Sequence, residues 1–120
     1  MPYDERLAAR IRSLLAARGD VEEKRMFGGL AFMVGGHMAI GVVKDDLLVR
    51  VGADAFSSLV REPHARPMDF TGQPSKGALF VAAAGLESGA VLQAWVSRGV
   101  AYAQSTPDRA RRPGRARRAR

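Results

Sequence analysis

From Lys24 to Val51 the chain reads as three apolar runs separated by two-residue turn signals, Gly35-Gly36 and Asp45-Asp46. Apolar runs joined by tight turns predict an antiparallel meander. Upstream, Leu7, Ile11, Leu14 and Leu15 fall at i, i+4, i+7 and i+8 behind Asp4. That is an apolar stripe at helical period with an N-cap residue in front of it. Gly19 is placed to stop this helix, with Arg18 in its last turn. Beyond the meander, residues 54–61 predict a short helix with Phe56, Leu59 and Val60 inward, ended by Pro63. Residues 63–77 are rich in Pro and Gly and predict a loop with a short edge strand, anchored by Met68 and Phe70. The apolar run 78–82 has strand length. Residues 86–104 predict a closing helix with Leu92, Trp95, Val96 and Ala103 near one face and Trp95 buried. Gly89 and Gly99 lower its propensity by roughly 1 kcal/mol each relative to Ala.

Strands joined by tight turns with helices at both ends define an α+β domain. An antiparallel sheet carries an N-terminal, a short middle and a C-terminal helix on one side. Gly28-Gly29 is expected as a bulge or sharp bend within a strand, and Gly35-Gly36 as a type I′ turn with φ positive at both residues.

Charge divides the chain in two. Residues 106–120 hold Arg109, Arg111, Arg112, Arg115, Arg117, Arg118 and Arg120 against one acid, a net +6, which leaves +1 for residues 1–105. The terminal stretch is Arg, Ala, Pro and Gly without apolar period, so a disordered basic tail is expected after a domain spanning 1–105. Without aromatics it can neutralise phosphates but not stack on bases. It reads equally as a sequence-blind nucleic-acid contact and as a solubilising terminus. No apolar run reaches the ~18 residues of a membrane span. The N-terminus has no apolar leader region, which places the protein in the cytoplasm.

Candidate chemistry is sparse. There is no Cys, and the two histidines, His37 and His64, fall at a turn and in a loop. Neither has a partner at a spacing that general acid–base work or a zinc site would need. Gly28-Gly29 is not followed by the helix and Lys-Ser/Thr of a phosphate loop. Ser57, Ser58, Ser75 and Ser88 lie in no nucleophile elbow. Asp45-Asp46 reads as turn chemistry, and Met26, Met33, Met38 and Met68 as core filling. No cofactor or metal is expected. Lys24, Arg25, Arg50, Arg66 and Lys76 form a looser basic set, either an anionic or protein-binding patch or a solvated face with local ion pairs.

Several segments carry a resemblance. They are Tyr3-Asp4-Glu5 with its helix, Lys24-Arg25-Met26-Phe27-Gly28-Gly29-Leu30-Ala31-Phe32-Met33, Asp46-Leu47-Leu48-Val49-Arg50-Val51-Gly52, Arg66-Pro67-Met68-Asp69-Phe70-Thr71-Gly72 with Lys76-Gly77, and Ala94-Trp95-Val96. Over residues 1–105 the chain resembles the N-terminal domain of the TfoX/Sxy family. Full-length members are bacterial regulators of competence for DNA uptake, thought to assist a cyclic-AMP receptor protein at selected promoters, and carry a second, C-terminal helical domain. In its place this sequence has the Arg-rich tail, as expected of a stand-alone N-terminal domain. The resemblance implies a non-enzymatic regulatory or adaptor role with a protein partner in the transcription machinery. A small-molecule-binding or enzymatic domain with a pocket between sheet and helices is the alternative, and nucleic-acid binding through the tail alone is a third.

Overall fold

The structure, a computed structural model, describes residues 3–26, 28–68 and 77–105. Phe70, Ser75, Lys76 and the tail arginines lie outside them. The elements are α1 (Glu5–Leu14), β1 (Val21–Met26), β2 (Gly29–Val34), β3 (His37–Val43), β4 (Asp46–Arg50), α2 (Ala53–Leu59), β5 (Ala65–Pro67), β6 (Ala78–Val81), a 3-10 turn (Ala83–Gly85) and α3 (Gly89–Ser105). The six strands form one antiparallel sheet in the order β1-β2-β3-β4-β6-β5. This is the expected α+β architecture.

Asp4 caps α1, accepting hydrogen bonds from the Arg6 and Leu7 amides at 2.9 and 3.2 Å. The helix buries Leu7, Ala8 and Ile11 and leaves Leu14 39% exposed, so Ala8 takes the place that periodicity gave to Leu14. It ends at Leu14, well before Gly19. The Leu15 amide bonds back to the Ile11 and Arg12 carbonyls, and Gly19 belongs to the connection.

Four strands, not three, occupy the meander. Gly28, with φ 75°, sits in a turn between β1 and β2 and does not bend a continuous strand. Gly29 opens β2, and its need for glycine is steric: a Cβ there would run into the Val42 carbonyl. Gly29→Val is therefore expected to cost on the order of 1–3 kcal/mol by overpacking. A thermal melt that overlays wild type would remove this account. Gly35 and Gly36 have φ of 60° and 88°, as a type I′ turn requires. The next turn falls one residue earlier than the Asp-Asp pair suggests. Val43 pairs with Asp46, and Lys44, at φ 54°, is the first turn residue.

One face of the sheet carries the main core. Leu30, Phe32, Val34, Ile40, Val42, Leu47, Val49, Leu79 and Val81 pack there with Leu7, Ile11, Leu92, Trp95 and Val96 of the helices. The register slips between Phe32 and Met33, making Ala39 an extra residue on β3. Ala39 and Ile40 consequently both face the helices. Gly99 of α3 crosses at this bulge.

Candidate functional site

The register decides where each charged side chain emerges, because directly paired residues share a face. Lys24 pairs with Ala31, Ala31 with Gly41, Gly41 with Leu48, Leu48 with Phe80, and Phe80 with Arg66. This row crosses all six strands on the outer face, away from α3. Lys24 and Arg66 thus share a face but stand at opposite edges, five strand spacings or about 24 Å apart. Arg25 pairs with Leu30 and belongs to the helix face. The basic set is not gathered into one patch.

Arg66 and Arg50 each have a built environment. Arg66 donates to the Asp46 carboxylate at 2.6 Å, and its guanidinium lies 5.0 Å from the centre of the Phe80 ring. Arg50 donates to the Tyr102 hydroxyl at 2.9 Å, which ties the end of β4 to the end of α3. The Tyr102 ring occupies the space beside Gly52, whose φ is 84°. Sequence reasoning missed Asp46, Phe80 and Tyr102 as partners. The pairings join residues 20, 14 and 52 positions apart, and no local spacing encodes them.

The outer face has its own apolar cluster of Leu48, Ala78 and Phe80, with Met38, Val43 and Met68 packed against it. Met33 is buried, and Met26 is 38% exposed at the end of β1. Alternation places Met26 and Met33 on this face, since they pair with Gly29 and Glu22. Of the four methionines expected to fill the core, Met33 is buried and Met38 and Met68 pack against this outer-face cluster, while Met26 is exposed. The centre of the outer face is closed, with Leu48 fully buried. Its margin is accessible, formed by half-buried Met38, Val43 and Met68, exposed Met26 and the exposed Arg66.

Other groups are dispersed. His64 is exposed with φ 69°; its carbonyl accepts from the Ala82 amide, and its ring lies where a Cβ on Gly85 would be 2.8 Å away. His37 opens β3 and is half-buried. Among the described residues no three His, Asp or Glu side chains are grouped to hold a metal, and no helix is long and apolar enough to cross a membrane. A cleft of about 150 Å³ lies between α1, the β3–β4 turn and the 3-10 turn, lined by Arg6, Arg10, Asp45 and Glu87 over Leu7 and Leu86. It is not at the sheet–helix interface, where the alternative placed a pocket.

Arg12 of α1 donates two hydrogen bonds to Glu23 of β1, at 2.6 and 2.8 Å. This bonding holds the Glu23 carboxyl below the usual carboxylate range against a smaller opposing effect of burial. A depressed carboxyl stabilises the fold above its unfolded pKa, and the contribution is lost as pH falls through the folded value. Both side chains are well exposed, so the pair is worth about 0.5 kcal/mol. Glu23→Gln is expected to lose that amount at neutral pH. The difference from wild type should vanish in acid denaturation experiments below the carboxylate range.

No curated protein and no solved structure matches this sequence. The model of one family does, and it describes the TfoX N-terminal domain over residues 13–103. That span takes in the end of α1, the whole six-stranded sheet and α3 through Ala103. With three quarters of its length matched and the architecture described above, the chain belongs to the TfoX N-terminal domain family.

Proposed function

We propose that this domain is a non-enzymatic regulatory adaptor that works through protein contacts, in the manner its family resemblance implies. The observation that supports it is the margin of the outer sheet face. Methionine is unbranched and polarizable, and it adapts to irregular partners. Met38 and Met68 are half-buried and Met26 is exposed around that margin; Met68 stands two residues from Arg66, and Met26 lies at the opposite edge, on β1. Arg66 is preset by Asp46 and Phe80, so it loses little freedom on docking. Aromatic, Met and Arg side chains are the ones enriched at protein interfaces.

The test is affinity capture from native lysate with the full chain and with the Arg66→Ala/Met68→Ala variant. Recovery of a transcription factor or polymerase subunit by wild type and its loss in the folded variant is the expected result. A co-purifying metabolite with no protein partner would replace the adaptor by the small-molecule binder.

A second reading, sequence-blind contact with nucleic acid, rests on the seven arginines of residues 106–120. If they contact phosphates, log K for duplex DNA should fall with log[salt] at a slope of up to roughly −0.9 per contact. Removing residues 106–120 should abolish most of that slope, and specific and scrambled duplexes should bind alike. Fluorescence anisotropy at several salt concentrations measures both. Sequence-selective binding that survives the truncation would assign DNA recognition to the folded domain.

A further inference from the structure

The sheet has two edges, and they are built differently. β5 is three residues long and ends in Pro67, features that blunt an edge. β1 is six residues long, contains neither Pro nor Gly, pairs with β2 without a break, and is exposed from Glu22 to Met26. Among the described residues no strand lies beyond it. The Gly35 amide donates to the Asp20 carbonyl at 3.1 Å, which fixes the phase of the ladder. Paired residues in an antiparallel ladder alternate between bonded and non-bonded pairs. Asp20, Glu22, Lys24 and Met26 therefore bond to β2, and the N–H and C=O groups of Val21, Glu23 and Arg25 point away from the sheet.

An open row of donors and acceptors is a template for another strand, and the charges of β1 specify which one. Its sequence is Val-Glu-Glu-Lys-Arg-Met, an acidic half followed by a basic half. The strand is neutral overall, so it does not repel a copy of itself as an edge guarded by one sign of charge does. Laid parallel to itself, it sets Glu on Glu and Lys on Lys. Laid antiparallel, it sets the acidic half on the basic half.

The phase allows only residues of the same facing to oppose each other, which leaves two central registers. Centred on Glu23, Glu22 of each copy stands opposite Lys24 of the other. The two Glu23 side chains meet at the axis, each held by its own Arg12 and diagonal to the other copy's Arg25. Centred on Lys24, Glu23 of each copy stands opposite Arg25 of the other, with Glu22 diagonal to Lys24. The second also brings the two Lys24 side chains together at the axis, and only the first sets Glu22 directly opposite Lys24, so the Glu23-centred register is the complementary one.

We propose that β1 is a self-association edge. It pairs antiparallel with β1 of a second copy across a twofold axis, joining two six-stranded sheets into one of twelve strands. The contact is isologous, as a twofold demands. With only six residues on each side it makes a weak dimer, sensitive to concentration and salt.

Sedimentation equilibrium of the full chain, from micromolar to millimolar concentration, tests this directly. The wild type is expected to approach twice the chain mass, less so at high salt. Lys24→Glu and Glu22→Lys each reverse one exposed charge and leave the Arg12–Glu23 pair in place. Each alone should dimerise about tenfold more weakly or worse. An equimolar mixture of the two should recover association, because Glu at 22 and 24 of one chain then faces Lys at 24 and 22 of the other. Amide exchange supplies a measurement free of variants. The Val21, Glu23 and Arg25 amides should exchange quickly in dilute solution and slow selectively as concentration rises. A wild type that keeps the mass of one chain throughout, a dimer indifferent to both charge reversals, or concentration-independent exchange at those three amides would overturn the proposal.

Discussion

Trp95→Ala is expected to lower the stability of the domain by ~3–5 kcal/mol, the range for removing a large aromatic side chain from a packed core. Trp95 is the sole Trp, 2% exposed, and packs in the main core beneath α3. The Arg98 guanidinium covers its ring at 4.5 Å, adding a cation–π contact at the rim. Domains of this size hold only ~5–15 kcal/mol in total, so the loss would leave a chain near its unfolding threshold. Urea denaturation followed by circular dichroism measures the difference, since the variant has no Trp to report. In the wild type, emission should be blue-shifted and poorly quenched by iodide. A variant that unfolds at the wild-type midpoint would mean that Trp95 is not part of the cooperative core.

Gly99→Ala tests the docking of α3 on the sheet, and its value lies in its sign. Helix propensity alone predicts a gain of about 1 kcal/mol from replacing a mid-helix Gly by Ala. The structure predicts a loss. A Cβ at Gly99 would lie 2.5 Å from the Ala39 carbonyl oxygen and 2.7 Å from Ile40 Cγ2. Neither can move freely, because both belong to the bulge that turns β3 toward the helix. Forcing the helix off the sheet is expected to cost on the order of 2–3 kcal/mol net. Gly89→Ala is the internal control: nothing lies within 4 Å of its Cβ position, so that variant should be neutral or gain up to about 1 kcal/mol. Denaturation curves for the two variants should move in opposite directions. A stabilised Gly99→Ala would contradict the close crossing.

The elements with strong local signals were legible in the sequence. Asp4 before an apolar stripe marked α1, Gly35-Gly36 marked its hairpin, and the run 78–82 marked β6. β1 left no hydrophobic signature because an edge strand exposed on both faces has no apolar side to alternate. Which face the methionines fill was not legible for a related reason. Apolar character marks burial, but only the register says which face is buried, and a shift of one residue exchanges the two. The candidate basic set suffered the same ambiguity. Lys24 and Arg25 are neighbours in sequence and emerge on opposite faces, while Arg66 belongs with Asp46 and Phe80, which only the β4-β6-β5 order brings to it. Gly99 read as a weak point in a helix, since the carbonyl that requires it lies 60 residues away in β3.

The strand order also governs how the domain emerges during synthesis. β1 to β4 can form as a local meander, but β6 must insert beside β4 before β5 has a neighbour, and α3 is the last described element to appear. Until residues 78–105 have left the ribosome, β4 presents an unpaired edge, and Phe32, Ile40, Val42, Leu47 and Val49 have no α3 to pack against. At translation rates of roughly 5–20 residues per second, completing the stretch from Arg50 to Ser105 takes several seconds. For that interval the nascent meander is an apolar sheet with one open side. This is the stage at which the chain is most exposed to aggregation and to chaperone capture.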